Sequence, residues 1–201
     1  MTAEASKPNS QVAGRGALIG LAALFFVPLL GAFWLYYAGG WRPAGSTNHG
    51  ELITPARPLG VVSLANVDGS AARADLLAGK WTLVYLGDGA CNEVCRKALW
   101  TIRQTRLLLA EDMNRVHRVF IAEGNCCDRA FLDREHPGLE TVQISEATSR
   151  QWLAQFPREE ARQFVYVVDP LGNLMMRFDI TQNPKGLLQD LEKLLKLSHI
   201  G

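Results

Sequence analysis

The chain has 201 residues, with 21 lysines and arginines against 20 aspartates and glutamates, and four histidines. That balance excludes a basic surface for nucleic acid and an acidic solvating tail, and a hydrophobic content of 48% excludes bulk disorder. Four cysteines are too few for a disulfide-framework domain, and they fall in two close pairs, Cys91/Cys95 and Cys126/Cys127, a grouping that suggests chemistry more than stapling.

Residues 1–15 read as a short tail. Residues 16–40 carry no charged side chain, and a run of roughly twenty apolar residues suffices to cross about 30 Å of hydrocarbon. Trp34, Tyr36, Tyr37 and Trp41 gather at its C-terminal end, where amphipathic rings favour the headgroup level. A cleaved signal peptide would have a shorter apolar region and end in small residues, and a buried core helix would show a polar face. The run is therefore expected to be an uncleaved transmembrane helix. Lys7 and Arg15 precede it and Arg42 and Arg57 follow it, so the count of basic residues is even. A short basic tail is easily retained, which puts residues 1–15 in the cytoplasm. The protein then sits as a single-pass protein in the inner (cytoplasmic) membrane with its soluble domain in the periplasm.

Prolines and glycines across 41–58 forbid a long helix and predict a linker that becomes an ordered extended arm. A soluble domain follows over 59–201. Within it, 60–67 reads as a short strand, Asp68-Gly69 as a turn and 71–78 as a brief helical turn. The run W-T-L-V-Y-L at 81–86 is continuous, β-branched and aromatic, as expected for a strand buried on both faces. Gly87, Asp88 and Gly89 break it, and a helix is expected from Cys91 or Glu93 to Ala110. A second buried strand spans 116–122, which completes a right-handed βαβ unit. Beyond it come a lesser strand at 139–144, a helix at 146–156 and a hairpin of 164–168 with 174–178 around Asp169-Pro170-Leu171-Gly172-Asn173. An amphipathic helix at 184–197, with proline in its first turn, closes the chain. Trp100 and 107–109 are assigned to core and helix packing. The fold class is α/β, and the order βαβ, helix, hairpin, helix is that of a thioredoxin-like domain.

Cys91 and Cys95 lie where the first core strand meets the first helix. If the segment is helical there, the two sulfurs share a face one turn apart. A helix N-terminus favours thiolate over thiol, and a thiolate is both the redox nucleophile and a soft metal ligand. Two convergent thiolates suit Cu(I), whereas zinc wants four ligands. The bland alternative is a pair of small apolar residues filling a helix face. Cys126 and Cys127 follow the next parallel strand, so both pairs should open at one rim of the sheet, where ligands of α/β sheets bind. They are either a resolving thiol or third ligand for the first pair, or unrelated loop cysteines. His49, His117, His136 and His199 read as ordinary surface residues, with His136 the one whose loop could fold over the cysteine rim.

The stretch from Trp81 to Gly87, Cys91-x-x-x-Cys95 and Tyr166-Val167-Val168-Asp169-Pro170-Leu171-Gly172 together resemble the Sco/SenC family, and N-H-G-E-L-I-T-P at 48–55 adds to the likeness. The resemblance runs from about residue 55 to the end, plus the anchor. It is nearest to small Sco-like membrane proteins of bacterial cytochrome oxidase gene clusters. It implies a membrane-anchored thioredoxin-fold protein that delivers copper to, or reduces thiols of, the copper centre of cytochrome c oxidase. Its partners would be an oxidase subunit or its assembly factors, its cofactor Cu(I), and its catalytic and metal-binding residues Cys91 and Cys95. Two departures stand out. The position of the family's copper-ligand histidine is Ala161, and the prolines that often follow each cysteine are Asn92 and Arg96. A thiol-disulfide role needs only the two cysteines. A Sco-derived scaffold without chemistry is the alternative, and a peroxiredoxin-like peroxidase lacks its Thr/Ser and Pro before the cysteine.

Overall fold

The computed structural model describes residues 10–38, 47–60, 62–144, 151–159, 163–198 and 200. The chain divides into two compact units, Met1–Ser46 and Thr47–Gly201.

In the first unit, α1 (Ser10–Tyr37) contains a stretch, Arg15–Tyr37, long and apolar enough to cross a membrane, and none of it is buried within the protein. Its 23 residues reach about 35 Å at ~1.5 Å per residue, more than the ~30 Å of a hydrocarbon core. Large apolar side chains point outward on every side of it, from Leu18 to Tyr37. Pro28 sits inside the helix, and the rings of Phe33, Tyr36 and Tyr37 pack together at its end. Residues 39 and 40 of the expected span lie outside the described residues.

The second unit is built on a seven-stranded sheet. Its strands are β1 (Glu51–Pro58), β2 (Ala65–Asn66), β3 (Trp81–Asp88), β4 (Val116–Glu123), β5 (Glu140–Ile144), β6 (Phe164–Val168) and β7 (Asn173–Asp179), in the spatial order β1-β7-β6-β3-β4-β5-β2. β3, β4 and β5 run parallel, and the other pairings are antiparallel. Strand β1 is the second half of the expected linker and pairs with β7, so this part of the arm belongs to the sheet.

Side chains alternate across the pleat. On one face Leu83, Tyr85, Phe120, Val165, Val167 and Met176 meet α2 (Glu93–Leu108) through Ala98, Leu99 and Ile102. The same face meets α4 (Pro184–Leu197) through Leu187, Leu191 and Leu195. On the other face Val84, Leu86, Val119, Ile121, Tyr166 and Val168 pack on Leu59, Leu64, Leu76, Leu77, Trp152 and Phe156. Burying a Leu, Val or Phe side chain fully stabilises the fold by roughly 1.5–3 kcal/mol, so the two layers together fix β3 and β6 at the centre.

Several elements differ from the sequence reading. The strand expected at 60–67 shrinks to Ala65–Asn66, because the chain turns back at once: Gly69 N–H donates to Asn66 O and Asn66 N–H to Ser70 O. In the stretch at 71–78, Ala71 bridges Ala65, and the expected helical turn is reduced to two overlapping turns, Leu76 N–H to Arg73 O and Ala78 N–H to Asp75 O. Helix α2 starts at Glu93 and stops at Leu108, where Ala110 adopts a left-handed φ of 49° and a 3-10 segment, Ala110–Arg115, takes over. A short helix, α3 (Arg129–Glu135), was not anticipated; Asp128 caps it through Phe131 N–H. Of the helix expected at 146–156, residues 151–153 are helical, 154–156 form a turn, and 145–150 lie outside the described residues. Of Trp100 and 107–109, Leu109 is buried in the core as expected, whereas Trp100, Leu107 and Leu108 are exposed, because the stripe Cys95, Ala98, Leu99, Ile102 and Thr105 is what faces the sheet.

The chain just before β1 is fastened to α4. The buried carboxylate of Asp190 accepts His49 N–H at 2.7 Å and Gly50 N–H at 2.9 Å through Oδ2, and it meets His49 Nδ1 at 3.1 Å through Oδ1. Arg177 ties β1 to the 157–159 segment: its Nε donates to Glu51 at 2.7 Å, its Nη1 to Pro157 O at 3.1 Å, and its Nη2 pairs with Glu159.

Candidate functional site

Strands β3 and β4 are in parallel register to their last residues, Asp88 opposite Glu123. Beyond β3 the chain turns sharply. Gly89 N–H donates to Glu123 O at 3.0 Å, Ala90 N–H to Asp88 Oδ1 at 2.9 Å, and Cys91 N–H to Asp88 O at 3.0 Å. Cys91 takes a left-handed φ of 45°, which bends the chain into α2. Asn92 is the helix cap, its Oδ1 accepting Cys95 N–H at 3.1 Å.

Cys91 and Cys95 form a disulfide with Cα atoms 5.0 Å apart. The helix starts after Cys91, so Cys95 sits in its first turn while Cys91 stands outside it. Both are buried, Cys91 at 4% and Cys95 at 2% exposure. Arg96 Nε reaches Cys91 O at 3.4 Å, and the Arg96 guanidinium lies 4.6 Å from the centre of the Phe131 ring.

Cys95 lines a cleft of about 280 Å³ together with Tyr85, Gly87, Asp88, Asn92, Glu123, Arg158, Gln163 and Tyr166. Gly87 is required here because the Tyr85 ring folds back where a Cβ would lie. The Tyr85 hydroxyl donates to Gln163 Oε1 at 3.1 Å, and burial, then the charge of Glu123, pushes its phenol up to about 12. Burial likewise raises Tyr166 to about 12; its hydroxyl donates to Pro157 O at 3.1 Å. Arg158 pairs with Glu123 at 2.9 Å and closes the cleft on that side. The cleft is therefore a polar, hydrogen-bonded mouth with Cys95 among the residues of its wall.

Cys126 and Cys127, just after β4, are bonded to each other. Both are half-buried and pack against the cluster that holds Cys91 and Cys95. The two loops touch: a Cβ built on Gly89 would overlap Asn125 O and lie 2.8 Å from Cys126 Cα. Cys127 lines a second cleft of about 280 Å³ with Asp68, Arg129, Leu132 and Asp133. The two pairs thus meet at one rim, but each cysteine is joined to its own neighbour. Among the described residues no group of three His, Cys, Asp or Glu side chains could hold a metal ion.

The histidines lie elsewhere. His49 binds Asp190, and half-buried His117 meets Glu140 at 3.0 Å, with burial pushing its pKa down against that carboxylate. His136 is buried and not a surface residue; it packs edge-on against Phe131, and burial and the charges of Arg118 and Arg103 lower its pKa. His199 and Ala161 lie outside the described residues. The sequence reading missed Tyr85, Asn92, Glu123 and Arg158 as cleft residues. Of these only Asn92 carried a local signal, a capping residue directly before Glu93.

No curated protein matches the sequence. Solved structures do match in fold. Yeast Sco1 with copper bound is 16% identical at a TM-score of 0.58, over 71% of this chain and 90% of that one. BsSco, described as a member of the Sco family of cytochrome c oxidase assembly proteins with a disulfide switch, is 13% identical at 0.54, over 71% and 96%. The thioredoxin domain of a thiol-disulfide oxidoreductase from Bacteroides vulgatus is 15% identical at 0.51, over 74% and 99%. At these identities the likeness is one of fold. Residues 81–198 match the family described as the transmembrane-like, thioredoxin-like, C-terminal domain, and the chain belongs to that family.

Proposed function

We propose that this protein is a membrane-anchored, Sco-like assembly factor for respiratory cytochrome c oxidase, acting by thiol-disulfide exchange through Cys91 and Cys95. The observation that carries the reading is the Cys91–Cys95 disulfide at the β3–α2 junction, with Cys95 in the wall of a cleft. A client thiolate attacks one sulfur, the other leaves as a thiolate, and a second client thiolate then resolves the mixed disulfide. In the reduced state the pair would offer two soft thiolates to Cu(I) as a cargo. The fold neighbours named above include a copper-bound Sco1 and an oxidase-assembly Sco protein, and they support the choice of client: an oxidase subunit or its assembly factors. The apolar helix Arg15–Tyr37 supports anchoring in a membrane, and the short basic tail before it is the ground for placing the domain on the periplasmic side of the inner membrane. Tethering raises the effective concentration near a membrane-bound client.

The test uses the full chain in detergent and its Cys91→Ser/Cys95→Ser form. The wild type exchanges with a dithiol and, once reduced, takes up Cu(I) under anaerobic titration; the double variant does neither at this pair. Cells carrying the double variant are expected to lose oxidase yield. A wild-type yield would overturn the reading in favour of a scaffold without thiol chemistry.

A further inference from the structure

Cys126 and Cys127 play no part in the function proposed above, yet they form a disulfide whose loop lies against the loop of the first. Three observations bear on what that second pair does. The parallel register carries β3 and β4 to the same rim, and the Gly89–Glu123 hydrogen bond extends the contact one residue further toward the cysteines. Gly89 has no side chain to hold Asn125 and Cys126 away. Cys126 and Cys127 pack against the cluster that holds Cys91 and Cys95, yet Cys95 lines one cleft and Cys127 another.

We propose that Cys126–Cys127 is a second redox pair that exchanges its disulfide with Cys91/Cys95, so that the domain relays two electrons between two clefts. The proposal rests on the thiol-disulfide reading, and the co-reactant is the client dithiol or disulfide of that reading. Once a client dithiol has reduced Cys91–Cys95, the Cys91 thiolate attacks Sγ of Cys126. The Cys91–Cys126 bond forms as the Cys126–Cys127 bond breaks, and Cys127 leaves as a thiolate and takes up a proton. Cys95, after giving up its proton, attacks Sγ of Cys91; the Cys91–Cys95 bond re-forms and Cys126 leaves as a thiolate and is protonated. Two electrons and two protons have moved, the first pair is oxidised again, and the second is a dithiol whose Cys127 lines the cleft of Asp68, Arg129 and Asp133.

The experiment uses the full chain in detergent. Variants keeping one cysteine per loop, such as Cys95→Ser/Cys127→Ser, are equilibrated in glutathione buffer and the interloop disulfide is read by peptide mass. The relay predicts an effective concentration about tenfold or more above that of the same variant in urea. No native excess in any of the four one-per-loop variants overturns it. A second measurement needs no substitution. The wild type is reduced for varied times with dithiothreitol, acid-quenched and alkylated. Internal exchange that outruns the reagent holds the ratio of label on the two loops constant from the first time point. A ratio that drifts, each pair being reduced at its own rate, overturns the relay. Failure of Cys91–Cys95 to react with any dithiol would instead refute the thiol-disulfide reading itself.

Discussion

Asp190 offers a direct test of how the folded unit is closed. The residue is 3% exposed, and its carboxylate serves three donors: His49 N–H, Gly50 N–H and His49 Nδ1. In Asp190→Ala all three lose their acceptor, and the Gly50 amide is buried. A hydrogen bond to a charged group is worth about 1.5–3 kcal/mol, and a buried donor left bare costs about 1–3 kcal/mol. The chain before Gly50 is exposed enough for water to replace part of the loss, so we expect about 3 kcal/mol in all. Asp190→Asn keeps an acceptor oxygen for the two backbone amides and loses the charge, at about 1.5 kcal/mol. His49→Ala loses only the ring contact, under about 1 kcal/mol. Urea unfolding of the full chain in detergent, followed by tryptophan fluorescence, measures all three. An Asp190→Ala loss below about 1 kcal/mol, or a His49→Ala loss equal to it, would refute the reasoning.

The raised phenols of Tyr85 and Tyr166 make the fold sensitive to base. Both are pushed up to about 12 in the fold, so between the ordinary phenol pKa of about 10 and that value the unfolded chain ionises first and binds fewer protons. Stability is full below about pH 10 and falls by up to ~1.4 kcal/mol per pH unit for each tyrosine; Tyr85→Phe should halve that slope in urea titrations from pH 9 to about 12. Gly89→Ala drives a Cβ into Asn125 O and against Cys126 Cα, and since the obstacle is backbone, a loss of about 1–3 kcal/mol in the same assay is expected. Trp152→Phe removes the donor to Leu59 O at 2.8 Å in a buried setting, so about 1–3 kcal/mol should be lost while the contact with Phe156 is partly retained.

The elements that could be read in the sequence are those whose burial is regular. The run at 81–86 is apolar on both faces because β3 is covered on both, and residues 184–197 show a clean stripe because α4 lies on one face with Pro184 and Asn183 marking its start. Elements held by few contacts left no pattern. Strand β2 is two residues long, and α3 buries only Leu132. Trp100 shows the limit of composition: a large aromatic in a helix reads as core, but the stripe through Ala98, Leu99 and Ile102 assigns it to the outside. At the site, the parallel strands did foretell that both cysteine pairs share a rim. The bonding partner of each sulfur could not be read, because that depends on the turn at Cys91 and on how closely Gly89 admits the second loop. The cleft residues come from four separate segments, and only the folded sheet assembles them.

The sheet order bears on how any partner can bind. Its two ends are β1 and β2. The first carries Pro55 and Pro58 and a register irregularity between Leu52 and Arg57, and the second pairs over only two residues. Proline lacks the amide that a neighbouring strand would need, and an irregular or very short edge is a poor template for another chain. Neither border therefore lends itself to β-augmentation, the mode by which an extended peptide joins a sheet. For the client proposed above, recognition would fall to loops and side chains at the rim and not to shared backbone hydrogen bonds. The same blunt borders guard the domain against edge-to-edge aggregation.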